Sequence, residues 1–438
     1  MKPLTGKAAT AYRYAVAAIN ILEGSVRSGK TIGSLLDWAR FIRTGPAGAL
    51  LMAARTERTL INNVLTPMQA MFGASNVVIN SGSGTATIFG RLVLLVGANT
   101  EQSRTKIQGL TLAGAYVDEL ATLPESFWDM LVSRMSIAGA RIWATCNPEG
   151  PRHWLKRKWL DKAKLWVDGD GVFHDRRAQY RDLGEDDPDR PKNLHRFTFV
   201  LDDNASNLDP EYVSTTKANY SGVFYLRMIL GQWAIADGVI YDCFDPGRHV
   251  VPYSQLPQMA RLLSLGIDYG TTNPTAGILL GLGADGRLYA VDEWSPPRGT
   301  DATLSTSLTE WMKPVQVEGE PPPRSREPEW VFVDPAAASF KLQLYQDQTR
   351  ATDATNDVLN GIRTVSSLLS TGQLIISDRC ARLIDEIPGY MWDPKASEKG
   401  KDAPIKSDDH FSDALRYAVQ SSYQSWYGAL RKPIPTAA

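Results

Sequence analysis

Cysteine is scarce in this chain: Cys146, Cys243 and Cys380 stand far apart and form no CxxC pair. That spacing excludes a disulfide framework and a cysteine zinc site, and it fits a reducing compartment. Long apolar runs are missing as well. No stretch approaches the ~18 residues that a membrane span requires. The N-terminal MKPLTGKAATAYRY has no apolar core of the kind a secretory signal carries. The expectation is a cytoplasmic protein with no membrane partner. An excess of charge is absent too, since the net charge is −1. A nucleic-acid partner would therefore need a local basic surface, or one pooled by assembly. What remains is ordinary globular composition, 43% hydrophobic and 22% charged over 438 residues, enough for two or three domains. No internal repeat is present.

Against this plain background, EGSVRSGKT (23–31) stands out. It fits G-x-x-x-x-G-K-[ST], the pattern of a phosphate-binding loop. Gly24 and Gly29 let the backbone approach phosphates, with Ser25 and Ser28 in the same loop. Lys30 suits the β- and γ-phosphates, and the Thr31 hydroxyl suits Mg²⁺. An apolar segment, AINILEG (18–24), precedes the loop. An amphipathic one, KTIGSLLDWARFIR (30–43), follows it and turns a helix N-terminus towards the anion. The acidic pair that a nucleoside triphosphatase also needs is found in LAGAYVDEL. Asp118 would hold Mg²⁺ and Glu119 would orient the attacking water. Asn147, in ATCNP (144–148), either senses the γ-phosphate or is a turn residue before Pro148. Arg27, inside the loop, is read as a cis arginine finger or a phosphate clamp. A solvent-facing arginine is the bland alternative. Arg104 and Arg134 are candidates for a finger given to a neighbouring subunit.

A second group of residues lies in the C-terminal half. Asp268 closes the apolar stretch LLSLGID, and Asp334 closes WVFVD. DDHFSDALRYAVQSSYQSW (408–426) reads as an amphipathic helix, with Asp409, His410 and Asp413 on one face. Two strand-end acids and a helix acid can converge at one end of a sheet and bind two divalent cations, Mg²⁺ or Mn²⁺, for phosphodiester cleavage. His410 would be a ligand, a proton carrier or an orienter. Taken singly, each acid has a bland reading as a solvated strand end or helix face, and DYGTTNP (268–274) as a plain turn.

Between these groups the chain changes register. Up to about 150, apolar strands (47–55, 87–98, 112–119, 140–148) alternate with helical segments, which implies a parallel sheet with helices on both faces. Residues 150–255 are looser and turn-rich, with a helical stretch at 209–233. From 262 to 294 the pattern is a three-strand antiparallel meander with a tight Asp-Gly turn at 284–287. The Pro-rich 318–329 reads as a surface loop. The segment RHWLKRKWLDKAK (152–164) sets six basic residues against one acid. It reads as a surface for DNA or a partner protein, or as a basic helix packing its tryptophans inward.

In this order, these motifs resemble the large subunit of tailed-bacteriophage (or prophage) DNA-packaging terminases over most of the chain. EGSVRSGKT is similar to that family's phosphate loop, including its arginine. GAYVDE and ATCNPEGPRHWLK are similar to its acidic pair and coupling motif, and DGVIYDCFDPGRHV (237–250) to its interdomain join. GIDYG, VFVDPAA and DDHFSDALRYA are similar to its nuclease acids, the His410–Asp413 spacing being the most specific match. The resemblance implies an α/β chain with a P-loop ATPase domain (1–200), a linker (201–250) and a ribonuclease H-like nuclease domain with a mixed sheet (251–438). It also implies ATP with Mg²⁺, and two Mg²⁺ or Mn²⁺ at the nuclease acids. The implied partners are double-stranded DNA, a portal protein, a small terminase subunit and further copies in a ring, a pentamer, in the cytoplasm of an infected bacterium. The family often carries a glutamine upstream of the loop to read adenine. Residues 8–22 here have none, leaving Tyr12 or Tyr14 to stack on the base. The rival readings are a helicase-like DNA-remodelling ATPase without nuclease activity, a scaffold with a vestigial loop, and a transposase-like nuclease.

Overall fold

In a computed structural model, which describes residues 4–270, 273–317 and 320–430, the chain divides into two compact units. One comprises Met1–Val213 with Tyr225–Ile235, the other Ser214–Phe224 with Ala236–Ala438. The stretch 201–250 is thus shared between them.

The first unit is built on a ten-stranded sheet. Its strands are β1 Ile19–Gly24, β2 Ala49–Ala54, β3 Val77–Asn80, β4 Thr85–Ile88, β5 Arg91–Gly97, β6 Leu112–Val117, β7 Arg141–Cys146, β8 Ala163–Val167, β9 Phe173–Asp175 and β10 Lys192–Phe199. Their order is β3-β4-β5-β2-β6-β7-β1-β10-β8-β9. Pairing is parallel from β5 through to β8. It is antiparallel for β3–β4, β4–β5 and β8–β9 at the two edges. β1 and β6 are buried at every position, as strands covered on both faces must be. The alternation of side chains shows how this is done. On β2, Leu50 and Met52 join one core with Leu35, Trp38 and Ile42 of the helix α2, Lys30–Thr44. Leu51 and Ala53 join the opposite core with Phe127, Trp128 and Leu131 of the helix Glu125–Ser133. The chain has the α/β fold class expected of it.

Three segments differ from the sequence expectation. The single strand expected at 87–98 is a hairpin, because Phe89 (φ 49) and Gly90 (φ 80) form a left-handed turn between β4 and β5. β10 was not foreseen. It pairs with β1, yet buries His195, Arg196 and Thr198, so its composition disguises a central strand. The helical stretch at 209–233 is two helices, Pro210–Ala218 and Gly222–Met228.

The second unit contains β11 Val250–Val251, β12 Met259–Asp268, β13 Ala276–Gly283, β14 Leu288–Trp294, β15 Val315–Val317, β16 Glu320–Arg324, β17 Trp330–Val333, β18 Ala351–Asp353 and β19 Leu374–Ser377. Seven of them form a sheet in the order β11-β19-β14-β13-β12-β17-β18. β12, β13 and β14 are the expected antiparallel meander, turning at Gly286 (φ 78). β17 continues the sheet parallel to β12, and β18 parallel to β17. A three-strand meander extended by parallel strands on the side of its first strand is the ribonuclease H arrangement. The helix His410–Ser421 lies across β12 and β13, with Phe411, Leu415 and Ala418 in the core beside Leu263, Ile278 and Leu280. Gly266 lets it lie that close: a Cβ there would stand 2.3 Å from Ala414 O and Ala418 N. In the Pro-rich 318–329 segment, β16 pairs with β15 where a loop was expected; residues 318 and 319 lie outside the described residues. So do Thr271 and Thr272 of the DYGTTNP turn.

Candidate functional site

In the first unit the phosphate loop leaves the C-terminal end of β1. Asp118 and Glu119 follow β6, and Asn147 follows β7, which lies between β6 and β1. The carboxyl ends of adjacent parallel strands form the crevice in which α/β sheets bind ligands. A cavity of about 570 Å³ occupies it, and Arg27, Lys30, Thr31, Asp118, Glu119 and Asn147 all line its wall. Residues as distant in sequence as Thr31 and Asn147 are thereby brought to one surface.

Lys30 is 8% exposed and donates to Ser25 O and to Asn147 Oδ1, both at 2.8 Å. Burial lowers its pKa to about 8, so the ammonium lacks the hydration it would have in water. Ser25 Oγ is buried with no hydrogen-bond partner among the described residues. A buried cation and an orphaned hydroxyl on a loop ending in a helix N-terminus fit a bound polyphosphate. Gly24 (φ 132) and Gly29 (φ 85) give the loop its path, and a Cβ on Gly24 would fall 1.9 Å from Phe199 O. Ser28 Oγ donates to Ser25 O at 2.9 Å.

Asp118 is buried, which raises its pKa. Thr145 Oγ1 donates to Asp118 Oδ1 at 2.7 Å, and the Asn63 amide, on the same cavity wall, eases the ionisation of that carboxyl. With Thr31 it supplies hard oxygen donors suited to Mg²⁺. Arg27 is exposed and has φ 54; among the described residues only its backbone carbonyl has a partner, Asn204 Nδ2 at 2.8 Å. Glu119 has φ 51. Thr145, Asn63 and Asn204 were not singled out from the sequence. Polar residues outside a motif carry no local signal of which strand end they will face.

The other expectations for this unit fare differently. Tyr12 lies beneath the Arg40 guanidinium, 4.4 Å from its ring centre, and Tyr14 packs on Phe173. Neither lines the cavity. Arg134 donates to Gln108 O at 2.7 Å, whereas Arg104 is exposed. In 152–164 the helix is short, Trp154–Lys158. Trp159 packs edge-on against Trp128 in the core, Lys158 pairs with Glu125 at 2.6 Å, and Lys156 pairs with Asp161. Trp159 thus turns inward, and both lysines of that helix are matched locally by acids.

In the second unit, the parallel pairing of β12 with β17 sets Ile267 beside Val333. The next residues, Asp268 and Asp334, therefore leave the sheet side by side. Asp413 is on the helix that crosses β12, and both other acids raise the cost of ionising Asp268 after burial itself. His410 Nδ1 lies 2.9 Å from Asp268 Oδ2, and that carboxylate raises the imidazole pKa. Asp409 and Asp413 are bridged by Lys406, at 3.0 and 2.9 Å, and Asp413 also accepts from Arg416 Nε at 3.2 Å and forms an ion pair with that guanidinium. Asp334 accepts from Ala336 N at 2.9 Å. Glu386 accepts from Phe411 N and Ser412 N, holding the start of the helix. The structure thus draws Asp268, Asp334, Asp413 and His410 into one neighbourhood and adds Lys406 and Arg416, which the sequence reading missed. Carboxylates alone suit a hard cation. Yet no three His, Cys, Asp or Glu side chains among the described residues are grouped to hold one metal ion. The reason is visible: each acid is turned to a partner of its own.

No helix among the described residues is long and apolar enough to cross a membrane. A search of curated proteins finds no match. The family model for the N-terminal part of the terminase large subunit, T4-like-virus type, matches residues 21–246. Among solved structures, the large terminase of a thermophilic bacteriophage is similar at 33% identity and a TM-score of 0.80, over 96% of this chain and 99% of that one. Structures of the same phage protein in complex with ADP and with ATP-gamma-S match at 33% identity with TM-scores of 0.79 and 0.78, over 95% and 96% of this chain and 99% of each. With more than half of the chain under the family model and nearly all of it aligned to that relative, this chain belongs to the family of phage terminase large subunits.

Proposed function

We propose that this chain is the motor and nuclease subunit of a viral DNA-packaging machine. The observation that carries the motor half is the buried Lys30 in a cavity shared with Asp118, Glu119 and Arg27. The ADP and ATP-gamma-S complexes of the thermophilic-phage relative support nucleotide as the ligand. In this reading the backbone of Gly24, Ser25, Ser28 and Gly29 cradles the phosphates and Lys30 leaves Asn147 for the β- and γ-oxygens. Thr31 and Asp118 would hold Mg²⁺, which neutralises phosphate charge when bound. Glu119 orients the attacking water. Arg27, exposed at the cavity wall, swings onto the γ-phosphate as charge develops there. Asn147, released by Lys30, carries the change in phosphate occupancy to β7. Hydrolysis would drive double-stranded DNA through a portal into the procapsid, the chain acting in a ring, a pentamer, with a small terminase subunit choosing the start, in the cytoplasm of the infected host.

The nuclease half rests on the convergence of Asp268, Asp334 and Asp413. These would hold two Mg²⁺ or Mn²⁺, with Asp409 beside them, and the bound metal would supply Lewis-acid activation of water and phosphate. His410, oriented by Asp268, holds a proton at Nδ1. Asp413 is free to ligate only when Lys406 moves away. One observation favours the alternative of a DNA-remodelling ATPase without cutting activity: Lys406 and Arg416 already neutralise Asp413.

The test is plasmid cleavage by the full chain in Mg²⁺, Mn²⁺ or EDTA, beside ATP turnover with and without DNA. The expected result is ATP turnover together with metal-dependent cutting that Asp413→Ala abolishes. ATP turnover with no cutting in either metal would move the remodelling ATPase to the front. No turnover at all would remove the motor.

A further inference from the structure

Asn62 and Asn63 line the same cavity as the phosphate loop. They sit in a five-residue π-helical turn, Ile61–Leu65, between the short helices Glu57–Leu60 and Thr66–Phe72. Single π turns are rare and cluster at functional sites. The geometry explains why one is useful here. Neighbouring residues of an α-helix are turned by about 100°, so two in succession seldom face one ligand. Widening the turn reduces that rotation. Both asparagines are exposed, whereas the next two residues, Val64 and Leu65, are fully buried in the core.

Ordinary structural duties do not account for the pair. Asparagine is a poor helix former, and neither residue caps the turn, whose N-cap is Leu60 with no side-chain hydrogen bond. Asn63 instead shares the cavity wall with Asp118, the carboxylate at the end of β6, and its amide eases the ionisation of that buried carboxyl. Thr145 holds the same carboxylate from β7. Asp118 is thereby held by a neighbouring strand on one hand and faces the π turn across the cavity wall on the other.

We propose that the Asn62–Asn63 turn is part of the ATP-hydrolysing site, Asn63 as a positioning residue for Asp118 and Asn62 as an amide donor to the terminal phosphate. This rests on the reading of the cavity as an ATP site. Asn63 fixes the carboxylate that meets Mg²⁺, so its loss falls on Mg²⁺ dependence. Asn62 distinguishes a nucleotide with a third phosphate from one without, so its loss falls on the choice between ATP and ADP.

The experiment measures, in the full chain, ATP turnover against Mg²⁺ concentration and the affinities for ADP and ATP-gamma-S, for wild type, Asn62→Ala, Asn63→Leu and Asn63→Ser. Asn63→Leu is expected to raise the Mg²⁺ concentration for half-maximal turnover about tenfold, with a partial return in Asn63→Ser, since a polar group beside a charged one is lost and partly restored. Asn62→Ala is expected to weaken ATP-gamma-S binding about tenfold while ADP binding stays unchanged. Thermal melting identifies a variant that fails to fold, and Asn62→Ser then replaces Asn62→Ala. A wild-type Mg²⁺ midpoint in folded Asn63 variants and a wild-type ADP to ATP-gamma-S ratio in folded Asn62 variants would overturn the proposal and leave the ATP site intact. No nucleotide binding by the wild type would overturn the ATP reading itself, and this proposal with it.

Discussion

Arg27 and Glu119 both hold a left-handed backbone, φ 54 and φ 51, at the wall of one cavity. Such conformations cost non-glycine residues of the order of 1 kcal/mol or more and concentrate at functional sites. The fold thus bears a backbone cost at both positions on that wall. Arg27→Ala is expected to lower the maximal rate of ATP turnover far more than ATP affinity; an effect on affinity alone would make Arg27 a clamp. Lys30 allows a prediction with a sign. Its folded pKa, about 8, lies below the ordinary 10.5 because burial disfavours the ammonium. That burial cost is present below pH 8 and fades as pH rises towards 10.5, so Lys30 makes stability rise across this window. Phosphate restores the charge. At about pH 8.5, ATP binding should therefore take up a fraction of a proton, below about one. Calorimetry in buffers of different ionisation enthalpy measures the uptake, and Lys30→Met should abolish it. In the second unit, Lys406 plays the cation between Asp409 and Asp413. Lys406→Met is expected to tighten Mn²⁺ binding, read by calorimetry; weaker binding would mean that Lys406 does not compete with metal.

At the scale of elements, both sites depend on close packing against a strand. The helix His410–Ser421 reaches Asp268 only because Gly266 leaves room for its backbone. Gly266→Ala should force that helix off β12. The expected effect is a melting temperature lower by several degrees, as overpacking costs about 1–3 kcal/mol, together with loss of the His410–Asp268 bond, visible in the imidazole proton resonance. Unchanged melting would mean that the helix can slide without harm. β10 shows why some elements escaped the sequence reading. It lies beside β1 in the sheet, but its polar residues serve an internal network. Arg196 Nε, Thr198 Oγ1 and Trp233 Nε1 all donate to Glu23, the buried carboxylate just before the phosphate loop. Alternation of polar and apolar residues signals a half-exposed strand. Here the polar half is buried and paired, so the pattern misleads. The β4–β5 hairpin was hidden for a different reason: Phe89 takes a left-handed conformation that its residue type does not announce.

For the molecule as a whole, the two units carry separate sets of reactive residues, Lys30 with Asp118 and Glu119 in one and Asp268 with Asp413 in the other. The proposed activities should then separate by mutation. Lys30→Ala is expected to abolish ATP turnover while metal-dependent cutting of plasmid DNA persists, and Asp268→Ala to do the reverse. Loss of both activities in either variant, with the protein still folded, would mean that neither site works alone.

The sequence by itself determined the phosphate loop, the acidic pair and the three aspartates. Each is a short motif whose chemistry depends on residue type and on the strand or helix that ends there. It also determined the α/β class and the meander, because hydrophobic period and an Asp-Gly turn act locally. Only the tertiary structure decided that β7 separates β6 from β1, which sets Asn147 within 2.8 Å of Lys30. It alone brought Asn63 and Thr145 to Asp118, and Lys406 between two acids. Strand order and the direction in which a polar side chain leaves a turn are set by packing between residues distant in sequence, and no local pattern encodes them.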